Sequence, residues 1–221
     1  MRGTLAHELL EHLDLAPGAA LPGREEVMEV AAGHGLELDH VDVADLVSLV
    51  EAFAASEVHA RLGRAPWVRR EHAFAFPLLA GDPAGPLLNG VVDVLAREPS
   101  GAMLVVDHKT DRVGDADLSE LVERAYGVQR RIYALAALRA GAPAVEVVHL
   151  FLEAGDAGAV SARYVAADAP ALEAELATRA DGLLAGEYPV SPTPHAALCA
   201  TCPGRDGLCS WPPEMTDRPA P

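Results

Sequence analysis

The sequence predicts an α/β domain in which a central mixed β-sheet carries helices on both faces. Three observations support this prediction. Short runs rich in β-branched residues alternate along the chain with amphipathic segments of helical length. Clusters of glycine, proline and serine separate these runs, as is typical of turns. The 221 residues, 50% of them hydrophobic, suffice to bury one core without disulfide bonds.

The first third of the chain is predicted to be mainly helical. Residues 3–13 and 23–32 have apolar side chains at helical spacing. Asp42 is expected to cap a longer helix that runs to Leu62, because a carboxylate can accept hydrogen bonds from the free N–H groups of a first helical turn. Residues 67–78 are predicted to form the first strand.

Residues 88–110 predict a β-hairpin around which the rest of the chain is organised. Two β-branched runs flank a Pro-Ser-Gly turn centred on Ser100. If the hairpin is symmetrical about this turn, residues whose numbers sum to about 200 face each other. Asp93 and Asp107 are therefore expected to lie directly opposite, with Cβ atoms roughly 5 Å apart.

Two facing carboxylates repel each other unless a cation lies between them. Mg²⁺ is typically held by one or two carboxylates together with substrate phosphate oxygens. Lys109 lies on the same strand face as Asp107, whereas His108 points to the opposite face. Lys109 is also the only lysine among 17 basic residues. This pattern predicts a site that cleaves phosphodiester bonds; the alternative is a hairpin whose polar side chains are merely solvated.

The second half of the chain predicts another long helix between strands. The helix begins at Asp117 and ends near Ala140, and Gln129 and Tyr133 lie one turn apart on its flank, within reach of the same sheet edge. Its buried stripe is predicted to be Leu118, Leu121, Ala125, Val128, Ile132 and Leu135.

Two further strands and a final helix complete the predicted domain. The strands are expected at 145–153 and 159–165, and Asp168 is expected to cap a helix that ends near Ala185.

The sequence contains no internal repeat and no Gly-x-x-x-x-Gly-Lys-Ser/Thr phosphate loop. No apolar run approaches the 18 residues of a membrane span, and no secretory signal pattern is present, so a cytoplasmic location is expected.

The net charge of −16 counts against a free-standing DNA-binding protein, because an acidic protein repels a polyanion at long range. A local basic track near the site could still contact DNA. Its candidate members are Arg69, Arg70, Arg112, Arg124, Arg130 and Arg131.

Four short motifs in a fixed order resemble those of the PD-(D/E)xK nuclease superfamily. More narrowly, they resemble the RecB/AddA-type nuclease domain of bacterial recombination-repair helicase–nucleases. The likeness extends from about residue 2 to residue 211. The motifs are residues 2–11, Asp93, residues 107–109 and residues 129–133.

This resemblance implies a restriction-endonuclease-like core over residues 1–190 and a Mg²⁺- or Mn²⁺-dependent DNA nuclease, expected to be an exodeoxyribonuclease of DNA repair and recombination. His7, Asp93, Asp107 and the backbone carbonyl of His108 would hold the metal. Catalysis would involve Asp93, Asp107, Lys109, Gln129 and Tyr133. Lys109 would orient the attacking water and stabilise charge on the phosphoryl oxygens. Gln129 would position Lys109 or the water, and Tyr133 would buttress it.

The resemblance also implies partners. The substrate would be single-stranded DNA or unwound duplex, and a helicase, separate or fused, would supply it. The alternative function is a catalytically silent nuclease fold that serves as a docking or structural module of a helicase complex. The intact set of Asp93, Asp107 and Lys109 argues against this alternative, because a silent domain has no need of facing carboxylates.

The last segment, residues 191–221, is expected to form a cysteine-containing tail packed on the same domain. Clustered thiolates suit zinc or a [4Fe–4S] cluster. Relatives of this nuclease group carry three such cysteines and a fourth before the first motif, which is absent here. Either a preceding portion supplies it, or His195 completes a zinc site, or the cluster is vestigial. The three cysteines are Cys199, Cys202 and Cys209.

Overall fold

The computed structural model of the protein describes residues 1–83, 85–205 and 207–220. The chain divides into two compact units, one formed by Met1–Ala177 and the other beginning at Thr178. The predicted domain boundary near residue 190, and the packing of the tail on the nuclease domain, remain predictions.

A mixed five-stranded sheet forms the centre of the first unit, as predicted. The strands lie in the order β1-β2-β3-β4-β5. Strands β3 and β4 pair in parallel and the other neighbours pair antiparallel. The strand bounds are β1 Trp67–Pro77, β2 Leu87–Arg97, β3 Met103–Lys109, β4 Ala144–Phe151 and β5 Ala159–Val165.

Helices cover both faces of this sheet. Four helices, α1 Arg2–Glu11, α2 Arg24–Gly33, α3 His40–Ala54 and α4 Glu57–Arg64, pack with one face of β2, β3 and β4 into a single apolar core. The buried side chains of α6 (Gly127–Arg139) lie outside that core, and α6 contacts β4 and β1. The α/β prediction with helices on both faces is therefore confirmed.

The single helix predicted from Asp42 to Leu62 is wrong, because two other residues provide the caps. The Asp39 carboxylate accepts a hydrogen bond from the backbone N–H of Asp42 at 2.9 Å, so α3 starts before Asp42. The Ser56 hydroxyl accepts from the backbone N–H of His59 at 3.1 Å and starts α4 as a separate helix. A capping side chain at each start satisfies donors that a continuous helix would bond internally.

The helix predicted from Asp117 to Ala140 is interrupted by a π-helical turn. The segments are α5 Leu118–Leu121, the π-turn Val122–Tyr126 and α6. Asp117 caps α5, as predicted. A π-turn adds one residue to a helical turn and so rotates the faces that follow it. The predicted buried stripe is therefore correct only in part: Leu135 is buried, but Ala125 and Val128 are exposed, and Tyr133, which was not predicted, is buried.

The remaining elements are short apart from one helix. Two 3₁₀ segments lie at Leu152–Gly158 and Ala166–Asp168, and the longer helix α7 follows at Ala169–Leu184. Two one-turn helices in the second unit are α8 Ala196–Cys199 and α9 Pro213–Thr216. No helix in the described part of the chain has the length and apolarity needed to cross a membrane.

Candidate active site

The β2–β3 hairpin has the register that the sequence predicted. Each described pair, such as Val94 with Val106, has residue numbers that sum to 200. Regular pairing stops there, one residue before Asp93 and Asp107. The Asp93 Oδ2 atom instead accepts a hydrogen bond from the backbone N–H of His108 at 2.7 Å. The two aspartates therefore lie where the strands begin to separate.

A break in β1 lies opposite Asp93. The β1–β2 register is the same on both sides of the break, but Glu71 and Asp93 are left out of the pairing. Glu71 has a φ of +44°, which is costly for a residue with a side chain. Val68 packs on the α1–α4 core, whereas Phe74 contacts Tyr133 of α6. The two faces of β1 therefore exchange at Glu71 without a change of register.

The N-terminus of α1 is fixed against the end of β3. The Arg2 guanidinium lies 2.5 Å from the Asp45 carboxylate and also donates to the Thr110 carbonyl. A Cβ atom at Gly3 would lie 3.1 Å from Thr110 Oγ1, so glycine permits this close approach. These contacts place the next turn of α1, which carries His7, beside the separating ends of β2 and β3.

The His7 ring bridges two groups of the predicted metal site. Its Nε2 atom lies 3.1 Å from the His108 carbonyl oxygen, and its Nδ1 atom lies 3.5 Å from Asp93 Oδ2. A carbonyl oxygen only accepts, so Nε2 carries the hydrogen and Nδ1 of the neutral ring presents a lone pair to Asp93. Metal-binding histidines commonly donate their other N–H to a carbonyl in this way.

His7, Glu71 and Asp93 form a group that could hold a metal ion. One ligand atom from each lies within 4.8 Å of the others, and no other such group of three occurs in the described part of the chain. Carboxylate oxygens suit Mg²⁺ and Mn²⁺, and one imidazole is compatible with Mn²⁺ and heavier divalent ions. An open pocket of about 680 Å³, lined partly by His7 and Glu71, adjoins this His7–Glu71–Asp93 group. The donor set therefore fits a divalent cation.

Burial raises the pKa of both aspartates. The pKa of Asp93 rises to about 6, first because the carboxyl is buried and then because Asp107 is negatively charged; protonation of His7 would oppose the shift. Burial likewise raises the pKa of Asp107, and the Lys109 ammonium opposes that shift. A bound cation would favour the ionised form of both groups.

Lys109 begins a continuous chain of polar contacts. Its Nζ atom lies 2.5 Å from Asp107 Oδ2 and donates to Gln129 Oε1 at 3.1 Å. Gln129 Nε2 donates to the Tyr133 hydroxyl at 3.0 Å, and that hydroxyl donates to the Val91 carbonyl at 2.8 Å. Burial raises the pKa of Tyr133, so the phenol keeps its proton. We call Lys109, Gln129, Tyr133 and the Val91 carbonyl the lysine chain.

The His108 side chain lies on the opposite face of β3, as predicted. Its ring is buried and stands edge-on to Phe53 of α3 at a centroid distance of 4.9 Å. Burial lowers the pKa of His108 to about 3, so the ring is neutral. The backbone of His108 takes part in the site directly, and its neutral ring borders the site, with Nδ1 3.7 Å from Asp93 Oδ2.

The structure thus brings together the predicted residues His7, Asp93, Asp107, His108, Lys109, Gln129 and Tyr133. Asp107 is outside the His7–Glu71–Asp93 group and contacts Lys109 instead. Sequence reasoning missed Glu71. It is the only acidic residue of β1, and it lies opposite Asp93 in the β1–β2 register, a register that the spacing along β1 alone does not give. Sequence reasoning also missed Tyr126, whose ring lies under Lys109 with its centroid 3.8 Å from Nζ.

The cysteine tail lies in the second unit. All three thiols are free and line one pocket of about 540 Å³. Their sulfur atoms do not all lie within 4.8 Å of one another, whereas tetrahedral zinc with bonds of about 2.3 Å would hold them about 3.8 Å apart. His195 caps α8, with its Nδ1 accepting from the Leu198 N–H at 3.3 Å. The zinc or [4Fe–4S] site at Cys199, Cys202 and Cys209 remains a prediction.

Comparison with known proteins places this geometry among nucleases. A sequence profile of the PD-(D/E)XK nuclease superfamily matches residues 1–209. An ATP-dependent helicase/nuclease subunit of Desulforudis audaxviator is 35% identical over 144 residues, and the protein of the same name in Bacillus pumilus is 28% identical over 164 residues. These matches cover 61% and 62% of this chain, but only 12% of each relative.

A candidate exonuclease from Eubacterium rectale is among the similar solved structures. It has a TM-score of 0.49 and 10% sequence identity, and the match covers 96% of this chain and 77% of that chain.

Proposed function

The chain belongs to the PD-(D/E)XK nuclease superfamily, and on this premise we propose that it hydrolyses phosphodiester bonds of DNA with Mg²⁺ or Mn²⁺. The observation that carries the proposal is the convergence of a histidine, two buried aspartates and one lysine where β2 and β3 separate. His7 Nδ1 lies 3.5 Å from Asp93, and Lys109 Nζ lies 2.5 Å from Asp107. A structural module gains nothing from two buried carboxylates with raised pKa values.

We assign the cation to His7, Asp93 and Asp107, with the His108 carbonyl, and we add Glu71 to this set. When bound, the cation supplies Lewis acidity, which makes a water molecule more acidic and neutralises charge on the phosphate. The protein holds the side chains that would bind the cation in fixed orientations. The Nε2–H of His7 points to the His108 carbonyl, which fixes the ring so that Nδ1 faces Asp93.

Lys109 supplies the positive charge at the reacting phosphate. Its ammonium is held between Asp107 and Gln129, so its position is fixed before substrate arrives. A preorganised charge stabilises developing negative charge without a cost of reorganisation during the reaction. We propose that Lys109 binds a non-bridging phosphate oxygen and orients the attacking water, and that Gln129 and Tyr133 hold it there.

The test of this function is a cleavage assay with end-labelled DNA. The purified chain should degrade linear single strands in Mg²⁺ or Mn²⁺ and not in EDTA. An exonuclease should leave a circular single strand of the same sequence intact, because the circle has no end. An Asp42→Asn variant, which changes an exposed aspartate of α3, is the matched control and should behave as the unaltered chain. No cleavage with any divalent ion would favour the catalytically silent docking module.

We also propose that a helicase, separate or fused, delivers the DNA. The relatives that are named helicase/nuclease subunits motivate this step, and the charge of −16 supports it. Several arginines of the predicted basic track have other partners: Arg130 and Arg131 pair with Glu123, and Arg70 donates to the Leu13 carbonyl at 2.5 Å. The charges of Arg130 and Arg131 are therefore partly offset within the chain, which leaves less positive charge there to neutralise phosphates.

A DNA titration tests this dependence. At an ionic strength of about 0.15 M, the isolated chain should bind single-stranded DNA weakly, and its affinity should fall steeply with added salt. Tight binding, or rapid processive degradation by the chain alone, would contradict the need for a helicase.

For the tail we propose a bound metal, either zinc or a [4Fe–4S] cluster, at the three cysteines. Cys199→Ser should then release one zinc ion or bleach a brown chromophore. Metal analysis of anaerobically purified protein decides between these, and finding neither zinc nor iron would leave three ordinary thiols.

A further inference from the structure

Tyr126 has no role in the predicted site, yet its ring contacts the lysine that the proposed reaction depends on. We propose that Tyr126 is a positioning residue: the face of its ring holds the Lys109 ammonium in place by a cation–π interaction. This inference rests on the proposed function for its catalytic consequence, but the contact can be measured without any cleavage.

Three groups of the protein surround the Lys109 ammonium before substrate binds. Lys109 Nζ lies 2.5 Å from Asp107 Oδ2, 3.1 Å from Gln129 Oε1 and 3.8 Å from the centroid of the Tyr126 ring. An ammonium has three N–H groups, and its three neighbours here are a carboxylate, an amide and an aromatic face. The Lys109 side chain is 12% exposed, and removal from water strengthens a cation–π contact.

The ring itself is held from two other directions. The Tyr126 hydroxyl donates to Asp111 Oδ2 at 3.0 Å. The ring stacks on His149 of β4, with centroids 5.6 Å apart and planes 25° apart, and lies tilted against Phe151. His149 is fully buried, and burial, followed by the Lys109 and Arg130 charges, lowers its pKa to about 3, so it is neutral. A neutral ring beneath Tyr126 adds no charge that would repel the ammonium.

Tyr126 and Gln129 both reach Lys109 from the start of α6. Tyr126 is the last residue of the π-turn and directly precedes α6, with φ of −123° and ψ of 0°. Residues three apart on a helix are neighbours on one face, so this segment presents a ring and an amide to the same ammonium.

The experiment uses the fact that Lys109 is the only lysine in the chain. Selective ¹³C-lysine labelling therefore gives one set of side-chain NMR signals from the full-length protein. An aromatic ring face shields nearby protons, so the Lys109 ε-methylene signal should lie upfield in the unaltered chain and in Tyr126→Phe. The upfield shift should be lost in Tyr126→Leu and kept in a control, Tyr164→Leu, which removes a tyrosine of β5. An unchanged signal in Tyr126→Leu would overturn the proposal.

A second measurement needs no variant. The unaltered chain should show a nuclear Overhauser effect between the Lys109 ε-protons and the Tyr126 ring protons, and its absence would overturn the proposal even if Tyr126→Leu fails to fold.

In cleavage assays, Tyr126→Leu should lower kcat roughly 5–30-fold with KM for DNA unchanged, and Tyr126→Phe should keep most of the kcat of the unaltered chain. A KM effect alone would contradict a positioning role. If no protein cleaves DNA, the proposed function fails while the NMR result still decides the contact.

Discussion

The lysine chain and the His7–Glu71–Asp93 group lie together at the separating ends of β2 and β3, but they are held in opposite ways. Each step of the lysine chain is a hydrogen bond of 2.8 to 3.1 Å between groups of opposite polarity. In the His7–Glu71–Asp93 group, lone pairs face one another, and backbone features rather than mutual attraction bring them together: the β1 break at Glu71, the His108 N–H and the start of α1.

The difference shows which part of the site costs stability. The lysine chain satisfies its own donors and acceptors, so it is stable without any ligand. The carboxylates of Asp93 and Asp107 are buried near each other, and their raised pKa values measure the penalty. Functional sites commonly hold such unfavourable groupings because substrate or metal offsets the cost. Asp107 links the two parts, since it contacts Lys109 and raises the pKa of Asp93.

The largest expected effect comes from removing that shared residue. Asp107→Asn should reduce Mg²⁺-dependent cleavage by at least about 10³-fold, which corresponds to about 4 kcal/mol in the barrier. The reason is that one substitution removes a metal-binding carboxylate and a partner of Lys109. Single-turnover cleavage with saturating enzyme measures this reduction of the cleavage rate. The matched control is Glu11→Gln, a carboxylate that lines the adjoining pocket outside the group. Wild-type rates in Asp107→Asn would end the nuclease assignment of these residues.

The next effect separates charge from geometry in the lysine chain. Lys109→Arg keeps the positive charge but should lose about 10²-fold in kcat. A planar guanidinium cannot occupy the position of a compact ammonium between Asp107, Gln129 and the Tyr126 ring. Cleavage assays at saturating DNA measure it, with Arg112→Lys as a control for an arginine–lysine exchange elsewhere. Near-normal turnover in Lys109→Arg would show that Lys109 supplies only general electrostatics.

The sequence sufficed for the parts of the site that depend on regular periodicity. The two-residue period of β-strands correctly predicted the register of the hairpin, the approach of Asp93 to Asp107 and the opposite orientation of His108. The order of the motifs correctly predicted the PD-(D/E)xK superfamily and its RecB/AddA type. The mixed sheet follows from the same pattern of alternating strands and helices.

The sequence did not suffice for two other residues of the site. Glu71 lies opposite Asp93 in the β1–β2 register, which the local spacing along β1 does not give. Tyr126 lies three residues before Gln129 and so near it on one helix face, but only the structure shows its ring against Lys109. The error at Asp42 has a simpler cause: Asp39 is an equally good cap three residues earlier, and local spacing cannot decide between them.

The third prediction measures the stability cost at Asp93. The pKa of Asp93 is about 6 in the folded protein, above the ordinary 3.8. A raised pKa means that stability present below about pH 4 is lost as the pH rises through 6. In EDTA at pH 8, Asp93→Asn should therefore be more stable than the unaltered chain, by roughly 2–3 kcal/mol. At pH 4 the gain should vanish.

Urea unfolding at the two pH values measures this difference. The control is Asp42→Asn, which removes an exposed carboxylate of α3. Equal stability of Asp93→Asn and the unaltered chain at pH 8 would mean that the hydrogen bond from the His108 N–H outweighs the desolvation of the carboxylate.

The smallest effect tests the far end of the lysine chain. Tyr133→Phe keeps the ring, which packs edge-on to Phe74 at 5.9 Å, and removes only the hydroxyl. The Val91 carbonyl then loses its donor and Gln129 Nε2 loses its acceptor, which should cost about 1 kcal/mol in the free energy of unfolding. The cost stays at the low end because Val91 is 44% exposed, so water can replace one lost bond. Because Gln129 is then less restrained, kcat should also fall a few-fold, by less than in Lys109→Arg.

Thermal unfolding and single-turnover cleavage measure the two effects, with Tyr164→Phe as the control. A loss of stability without any loss of kcat would show that the lysine chain ends functionally at Gln129, and that Tyr133 serves only the packing of α6 on the sheet.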